Sequence, residues 1–425
     1  MSAAPGVEHT HTRAPDAQAA PAPGGAAATL LSINAGSSSL KFALFAHPRG
    51  RHAGPLPAAR LRGEIDLRDG RALLRWQQPG APERSVEPDA ERGDIGAETA
   101  WLVHWLDQAM GLPRPDIVAH RIVHGGLRFT RATRIDAAVE AELGRLRSLA
   151  PLHQGPGLDG VRAARQALPA AVQVACFDTA FHAGHADAER RYAIPRRWHD
   201  LGYQRYGFHG LSFDAISRRL PGLLGARADG AVVVAHLGSG ASLCGLRGLR
   251  SRSTTMGYTA LDGLVMATRC GSLDPGLVLH WMQQDDLQPQ RISDLLYRES
   301  GLLGVSQISA DLRALMASDD ARAGDAVELF IASAVRHVGA VAASIGGLDA
   351  LVFTGGIGTH QPLVRQAMVE RLAWLGLQLD APANAAGGPL ISSASSRVPV
   401  LVLETDEEAV MALQAAELCG LPTPR

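Results

Sequence analysis

Apolar residues in this chain gather in short dense runs that end in turns of small residues. Residues 1–28 mix Ala, Pro, Gly and polar residues without any apolar period and read as a disordered extension, so order is expected from Thr29. Thr29-Leu30-Leu31-Ser32-Ile33 reads as a buried strand entering the turn Asn34-Ala35-Gly36-Ser37-Ser38-Ser39, with Leu40–Phe45 as the returning strand. The same pattern recurs in the second half as strand Ala231–Ala235, turn His236–Ser242 and Leu243-Cys244-Gly245. Setting Asn34 over His236 aligns Gly36 with Gly238 and Ser37 with Ser239, which points to an internal duplication. A third apolar run, Ala350–Phe353, feeds the glycine loop Thr354-Gly355-Gly356-Ile357-Gly358, and a helix is expected to start near Gln361-Pro362. Helical periodicity marks 97–110, 158–167, 211–220 and 325–345. Strands alternating with helices predict an α/β architecture with crossover connections.

The 425 residues suffice for two or more domains, each with its own core. A net charge of −1 argues against a general binder of nucleic acid or membrane surfaces. Of the 41 basic side chains a single one is lysine, Lys41, and this excludes chemistries. A Walker A loop needs Gly-Lys-[Ser/Thr], whereas Lys41 follows Leu40. His-Arg-Asp and Asp-Phe-Gly elements of protein kinases are missing, and a Schiff-base enzyme would have to use Lys41 itself. Cys176, Cys244, Cys270 and Cys419 show neither a CxxC pair nor zinc spacing, which suits reduced thiols and a cytoplasmic location. No apolar run approaches the roughly 18 residues of a membrane span, and no secretory leader pattern opens the chain.

Glycine turns after strands let backbone N–H groups approach phosphate oxygens without a Cβ in the way. A lone turn of this kind is commonly just a tight turn; three in one chain favour phosphate binding. Arg and His surround them: His120-Arg121-Ile122-Val123-His124 after the strand Ile117-Val118-Ala119, His153 in a turn, Arg205-Tyr206-Gly207-Phe208-His209 before a helix, and Arg269 in a Gly-flanked loop. One His in an apolar strand is more often a satisfied core residue, but several at strand ends suggest a convergent anion site. Asp178, following the strand 172–177, is placed either to hold Mg²⁺ or to cap a turn. Asp406-Glu407-Glu408 reads as the negative first turn of a C-terminal helix.

The stretch Ser32–Phe42 resembles the N-terminal signature of the acetate kinases, and Tyr206–Ser212 with Met256–Pro275 resembles their second signature. His120–Gly126, Pro151–His153, Phe177–His182, His236–Gly240, Ser300–Ser306 and Phe353–Gly358 follow in the family's order, so the resemblance spans about residues 29 to 420. It implies a duplicated actin-like (ribonuclease-H-like) two-domain α/β kinase fold with an interdomain cleft. The domains would be 29–177 plus 408–425, and 178–407, after the 1–28 extension. It also implies a homodimer and reversible transfer of phosphate between ATP and acetate with Mg²⁺ (Mn²⁺ being the alternative metal).

Residue by residue, the resemblance implies Asp178, His209 and Arg269 as catalytic groups. Arg121, Val123, Leu152, His153, Phe208 and Ala260 would bind the carboxylate substrate. Lys41, His236, Leu237, Gly238, Ser239, Gly240, Asp311, Leu312, Arg313, Gly355, Gly356, Ile357, Gly358 and Thr359 would hold ATP or ADP, and Asn34 and Glu407 would serve the metal. The chain departs from the family pattern at Gln154, Ser239, Thr359-His360 and Ala260, where the family has Asn, Asn, Glu-Asn and Pro. Ala260 predicts extra room beside the acetate methyl and tolerance of propionate. The alternatives are a propionate or butyrate kinase of the same superfamily, or a non-catalytic actin-like ATP-binding module; Arg121, Arg269 and His209 together speak for catalysis.

Overall fold

A computed structural model describes residues 27–36, 39–47, 58–68, 71–88, 94–150 and 153–421. The extension expected over 1–28 lies outside these except for its last residues, and Ala28 already belongs to the first strand. The strands are β1 Ala28–Ala35, β2 Ser39–His47, β3 Leu61–Arg68, β4 Arg71–Gln77, β5 Arg84–Val86, β6 Ile117–Ile122, β7 Thr133–Arg134 and β8 Val172–Phe177. The second half supplies β9 Ala231–Leu237, β10 Ala241–Arg247, β11 Arg250–Thr254, β12 Ala350–Thr354 and β13 Val400–Val402.

The described strands form two sheets, ordered β5-β4-β3-β2-β1-β6-β8-β7 and β11-β10-β9-β12-β13. In the first, β3, β2 and β1 are antiparallel neighbours, and β6 then β8 run parallel to β1. In the second, β11, β10 and β9 repeat the antiparallel meander, and β12 then β13 run parallel to β9. The two sheets therefore repeat one topology, and β1 corresponds to β9 as the Asn34–His236 alignment predicts. The central strands are buried along their length, which is why they read as continuous apolar runs rather than alternating ones.

Helices cover the sheets at the positions that periodicity marks, as Ile95–Gln108, Gln154–Ala167, Gly210–Leu224 and Ala321–Ile345. Ala321–Ile345 is long and apolar enough to match a membrane span. Its buried Phe330, Ala334, Val338 and Val341 nevertheless pack into the core of the second sheet with Val233 and Leu243. Burying Phe330 fully contributes roughly 2–3 kcal/mol there.

Helix Gly210–Leu224 is apolar on two faces. Leu211 and Ala215 pack with Cys176 and Met411 of the first layer, whereas Phe213, Ile216 and Leu220 pack with Val232 and Leu401 of the second. This helix lies between the sheets and carries its N-terminus to the cleft. The C-terminal helix Glu407–Leu418 returns to the first sheet, burying Val410 and Met411 with Leu30 and Phe45.

Two local expectations change. His120 and Arg121 sit within β6 rather than in a loop beyond it, because the apolar run extends through Ile122. The segment Gly355–His360 is a short helix, not an open loop, and helix Pro362–Arg371 follows with proline in its first turn.

Candidate active site

The C-terminal ends of β1, β6, β9 and β12 converge on one cavity of about 850 Å³ between the sheets, with the end of β8 one layer behind its wall. Asn34 and Lys41 enter it from the first hairpin because they are direct cross-strand partners of β1 and β2. Arg121 enters from β6, and His209 from the residue preceding helix Gly210–Leu224. His153, Arg269 and Asp311-Leu312-Arg313 contribute further wall. The second sheet supplies His236 and the turn Gly238-Ser239-Gly240, closed by Gly238 N–H donating to the Gly240 carbonyl at 3.1 Å. Gly355, Gly356 and Ile357 lie beside that turn, and Glu407 and Glu408 arrive on the first turn of the last helix.

Not every expected residue reaches the cavity surface. Leu237, Phe208 and Val123 are buried in the hydrophobic core, and Gly358 is buried within its short helix. Ala260 is half-buried against that core, and its carbonyl accepts from Arg269 Nη1 at 2.7 Å. Thr359 stands behind the wall, its carbonyl accepting from the buried guanidinium of Arg365 at 2.7 Å. Leu152 lies outside the described residues. His120 and His124 follow the ordinary core reading: His120 meets Gln173 Oε1 at 2.7 Å, and His124 packs edge-on against Tyr206 and Phe208.

Asp178 is 1% exposed and stands one layer behind the wall, bound to Arg121 through Nη2 to Oδ2 at 2.6 Å and Nε to Oδ2 at 3.1 Å. Arg121 Nη1 points toward Asn34 Oδ1 at 3.4 Å. Asn34 Nδ2 donates to Glu407 Oε2 at 2.9 Å and to Glu408 Oε1 at 3.1 Å. Glu407 is therefore more than a dipole-favoured helix start; Asp406 makes the cap, accepting from Ala409 N–H at 3.0 Å. Burial alone would lower the Arg121 pKa, but Asp178, Glu407 and Glu408 beside it hold it well above the ordinary range. Burial pushes the Glu407 carboxyl up, against the pull of Arg121 and with added repulsion from Asp178 and Glu408.

The imidazoles are driven the other way. Burial, with Arg121 and Arg269 nearby, lowers His153 to about 3. His236 falls to about 4 through burial, Arg121 and Lys41, and His209 falls well below its ordinary value through burial, His236 and the same two arginines. The site thus presents fixed cations on Lys and Arg and neutral histidines that donate without adding charge. His209 and His236 stack at 4.3 Å, each held at Nδ1 by a serine: Ser242 at 2.8 Å for His209 and Ser212 at 2.8 Å for His236. A Cβ on Gly240 would come within 2.8 Å of Arg269 Nη2 and 3.2 Å of His209 Nε2, so only glycine lets the turn approach both.

Sequence reasoning named the acidic run through Glu408 and the departure at His360, both of which reach the wall with Thr405, but it assigned no site role to Glu408, Thr405, Ser212 or Ser242. Glu408 adjoins Glu407 in the acidic run and was within reach of that signal. The two serines show their role only in three dimensions.

Among the described residues no group of three or more His, Cys, Asp or Glu side chains forms a ready metal cage. The donor set still fits a hard dication. Glu407, Glu408 and Asp178 crowd around one arginine, leaving surplus negative charge, and Mg²⁺ typically takes only one or two carboxylates plus substrate phosphates.

The repeated sheet order and the cavity at the strand ends define an actin-like, ribonuclease-H-like α/β protein. The sequence profile of the acetokinase family matches residues 29–413. The chain is 45% identical over 392 residues to the acetate kinase of Rhodopseudomonas palustris strain TIE-1, covering 90% of this chain and 96% of that one. It is 44% identical over 396 residues to the acetate kinase of Rhizobium meliloti, covering 92% and 99%. Among solved structures, a propionate kinase from Francisella tularensis superposes with a TM-score of 0.83 at 31% identity, over 92% of this chain and 99% of that one. Porphyromonas gingivalis acetate kinase gives 0.78 at 34%, over 92% and 100%. This chain belongs to the acetokinase family.

Proposed function

We propose that this chain is an acetate kinase, transferring the γ-phosphoryl group of ATP reversibly to acetate to give ADP and acetyl phosphate. The observation that carries the reading is the convergence of Arg121, Arg269, Lys41 and neutral His209 on one glycine-lined cavity. A loose phosphoryl transition state spreads charge over equatorial oxygens and needs positioned cations and donors rather than covalent help. An acetate oxygen attacks the γ-phosphorus as the bond to the ADP oxygen breaks. Acetate is ionised at neutral pH, with a carboxyl pKa near about 4, so no proton has to be removed. Asp178 therefore acts by fixing Arg121 and supplying local negative charge, not as a base.

Ser239 and Gly240 present backbone and hydroxyl donors to the phosphates beside Gly238, whose own N–H closes the turn, and Gly355 and Gly356 face them. Glu407, with Asn34 orienting it, would hold Mg²⁺, which when bound neutralises the β- and γ-oxygens. We assign residues 29–177 with 408–425 to one body and 178–407 to the other; packing of helix Glu407–Leu418 on the first sheet supports this. Pairing as a homodimer is supported by helix Pro275–Gln283, which buries none of its residues although it carries Leu277, Leu279 and Met282 outward. A cytoplasmic location is supported by four free cysteines.

Propionate is the second acceptor, favoured by Ala260 and by the superposition on a propionate kinase. A hydroxamate assay with ATP, Mg²⁺ and acetate, propionate or butyrate tests the reading; no acyl phosphate with any acid would sink it.

A further inference from the structure

Behind the cavity wall lies a chain of buried polar groups that the phosphoryl-transfer chemistry does not use. His182, 1% exposed, ends the turn Ala180–His182 just after Asp178. Its Nε2 lies 3.0 Å from the Phe208 carbonyl. A carbonyl only accepts, so Nε2 carries the proton and Nδ1 is bare. Nδ1 lies 2.8 Å from Ser251 Oγ, which must donate to it. With its proton so committed, Ser251 accepts from His185 Nε2 at 2.6 Å and from Cys244 Sγ at 3.2 Å. Every proton in the relay is thereby directed toward one peptide carbonyl, that of Phe208.

That peptide leads into His209, whose φ of 56° puts a non-glycine residue in the left-handed region. Such a conformation persists only when its surroundings over-determine it. Two pins flank it, both from one short segment: His182 holds the Phe208 carbonyl, and the Asp178 carbonyl accepts from Gly210 N–H at 3.0 Å. There is no slack beside the first pin, because a Cβ at Gly207 would come within 2.6 Å of His182 Cδ2.

Resting on the acetate kinase reading, we infer that His182 is a positioning residue for catalysis: through the Phe208 carbonyl it locks His209 in its left-handed conformation, with Nδ1 on Ser242. The segment Asp178–His182 then sets both halves of the transition-state cradle, Arg121 through the Asp178 carboxylate and His209 through the two peptide pins.

Kinetics of the full-length enzyme test this with H182L, H182Q and H182N. Leu removes the donor; the Gln amide places an N–H where Nε2 stood, and the shorter Asn places one nearer Nδ1. H182L should lose about 100-fold in kcat, the scale of an ångström misplacement, with KM for ATP and acetate within about threefold. H182Q should recover most of that loss and H182N should not. If H182L does not fold, the Gln-to-Asn difference in kcat still decides, and equal kcat in those two overturns the inference. So does a folded H182L with wild-type kcat, or one whose loss lies wholly in KM. Imidazole ¹⁵N NMR of the wild-type protein gives a readout independent of turnover: His182 should be protonated at Nε2 alone, and the other tautomer overturns the relay. A wild-type enzyme that phosphorylates no acid would sink the functional reading and leave the tautomer result standing.

Discussion

Asn34 and Glu407 are joined by a 2.9 Å hydrogen bond across 373 positions of sequence, tying the first strand to the first turn of the last helix. The bond holds one Glu407 oxygen at the cavity while its burial and its acidic neighbours resist ionisation. A dication relieves that strain, so E407Q should need at least about 10-fold more Mg²⁺ for half-maximal rate, the scale of losing a ligand or its support. KM for acetate should stay nearly fixed. Initial rates over a Mg²⁺ series decide it, and an unchanged half-saturation would remove Glu407 from the metal site.

Asp178 faces two demands, since it neutralises Arg121 and lies close to Glu407. D178N leaves the guanidinium without its nearest buried anion, which typically costs about 3–5 kcal/mol when one partner of a buried pair is removed. The variant should melt earlier, lose most of its kcat and show weaker Mg²⁺ dependence. Melting curves and Mg²⁺ titrations on one preparation test this. A rate loss with unaltered Mg²⁺ affinity would separate Asp178 from the metal.

The apolar strands, the three glycine turns and the duplication were legible because each depends on neighbours in sequence: dense β-branched runs, then small residues where the chain turns. The candidate site residues could be named one at a time, through family motifs. Their partnerships could not. Arg121 with Asp178, His209 with Ser242 and His182 with Ser251 are contacts between segments that only the packed sheets and the bridging helix bring together. The strands β3 to β5 were also missed, since their charged, half-exposed sequence gives little apolar signal. Arg365, fully buried, was overlooked because an arginine satisfied by carbonyls looks like any surface arginine in sequence.

Buried neutral histidines make stability fall in acid. His120, His182 and His236 have pKa values lowered to about 4, mainly by burial. Unfolded histidine titrates near about 6.5, so the unfolded chain binds more protons between the two values. Their contribution is complete above the unfolded pKa and is lost as pH falls toward the folded one. At pH 5 each such group removes roughly 2 kcal/mol. Urea unfolding at pH 7.5 and pH 5 should show the loss, and H120Q, whose side chain meets Gln173 rather than lining the cavity, should reduce the difference. An equal pH slope in H120Q would show that His120 is not one of the groups responsible.

Lys41 is the sole lysine and projects into the cavity opposite Asn34. An ammonium is compact, whereas a guanidinium is a broad planar fork with a different set of donors. In a wall already occupied by Arg121 and Arg269, K41R should raise KM for ATP by about 10-fold or more while the protein stays folded. Steady-state kinetics with ATP as the varied substrate check this. Full activity would make the retention of lysine here incidental.

The Ala260 carbonyl holds Arg269 Nη1 at 2.7 Å, and its small side chain packs against the core cluster that includes Phe208 and Val123. Proline at this position keeps the carbonyl and adds ring bulk, so A260P separates the two roles. With Ala260, kcat/KM for propionate should lie within about 10-fold of that for acetate, the lower end of what a methylene commands in such a pocket. A260P should widen that gap by a further factor of about 10 or more through loss of propionate, with acetate turnover retained because Arg269 keeps its acceptor. Equal losses on both acids would mean that the substitution disturbs Arg269 rather than the pocket. If propionate is already poor and A260P does not change the ratio, Ala260 has no part in acceptor selection.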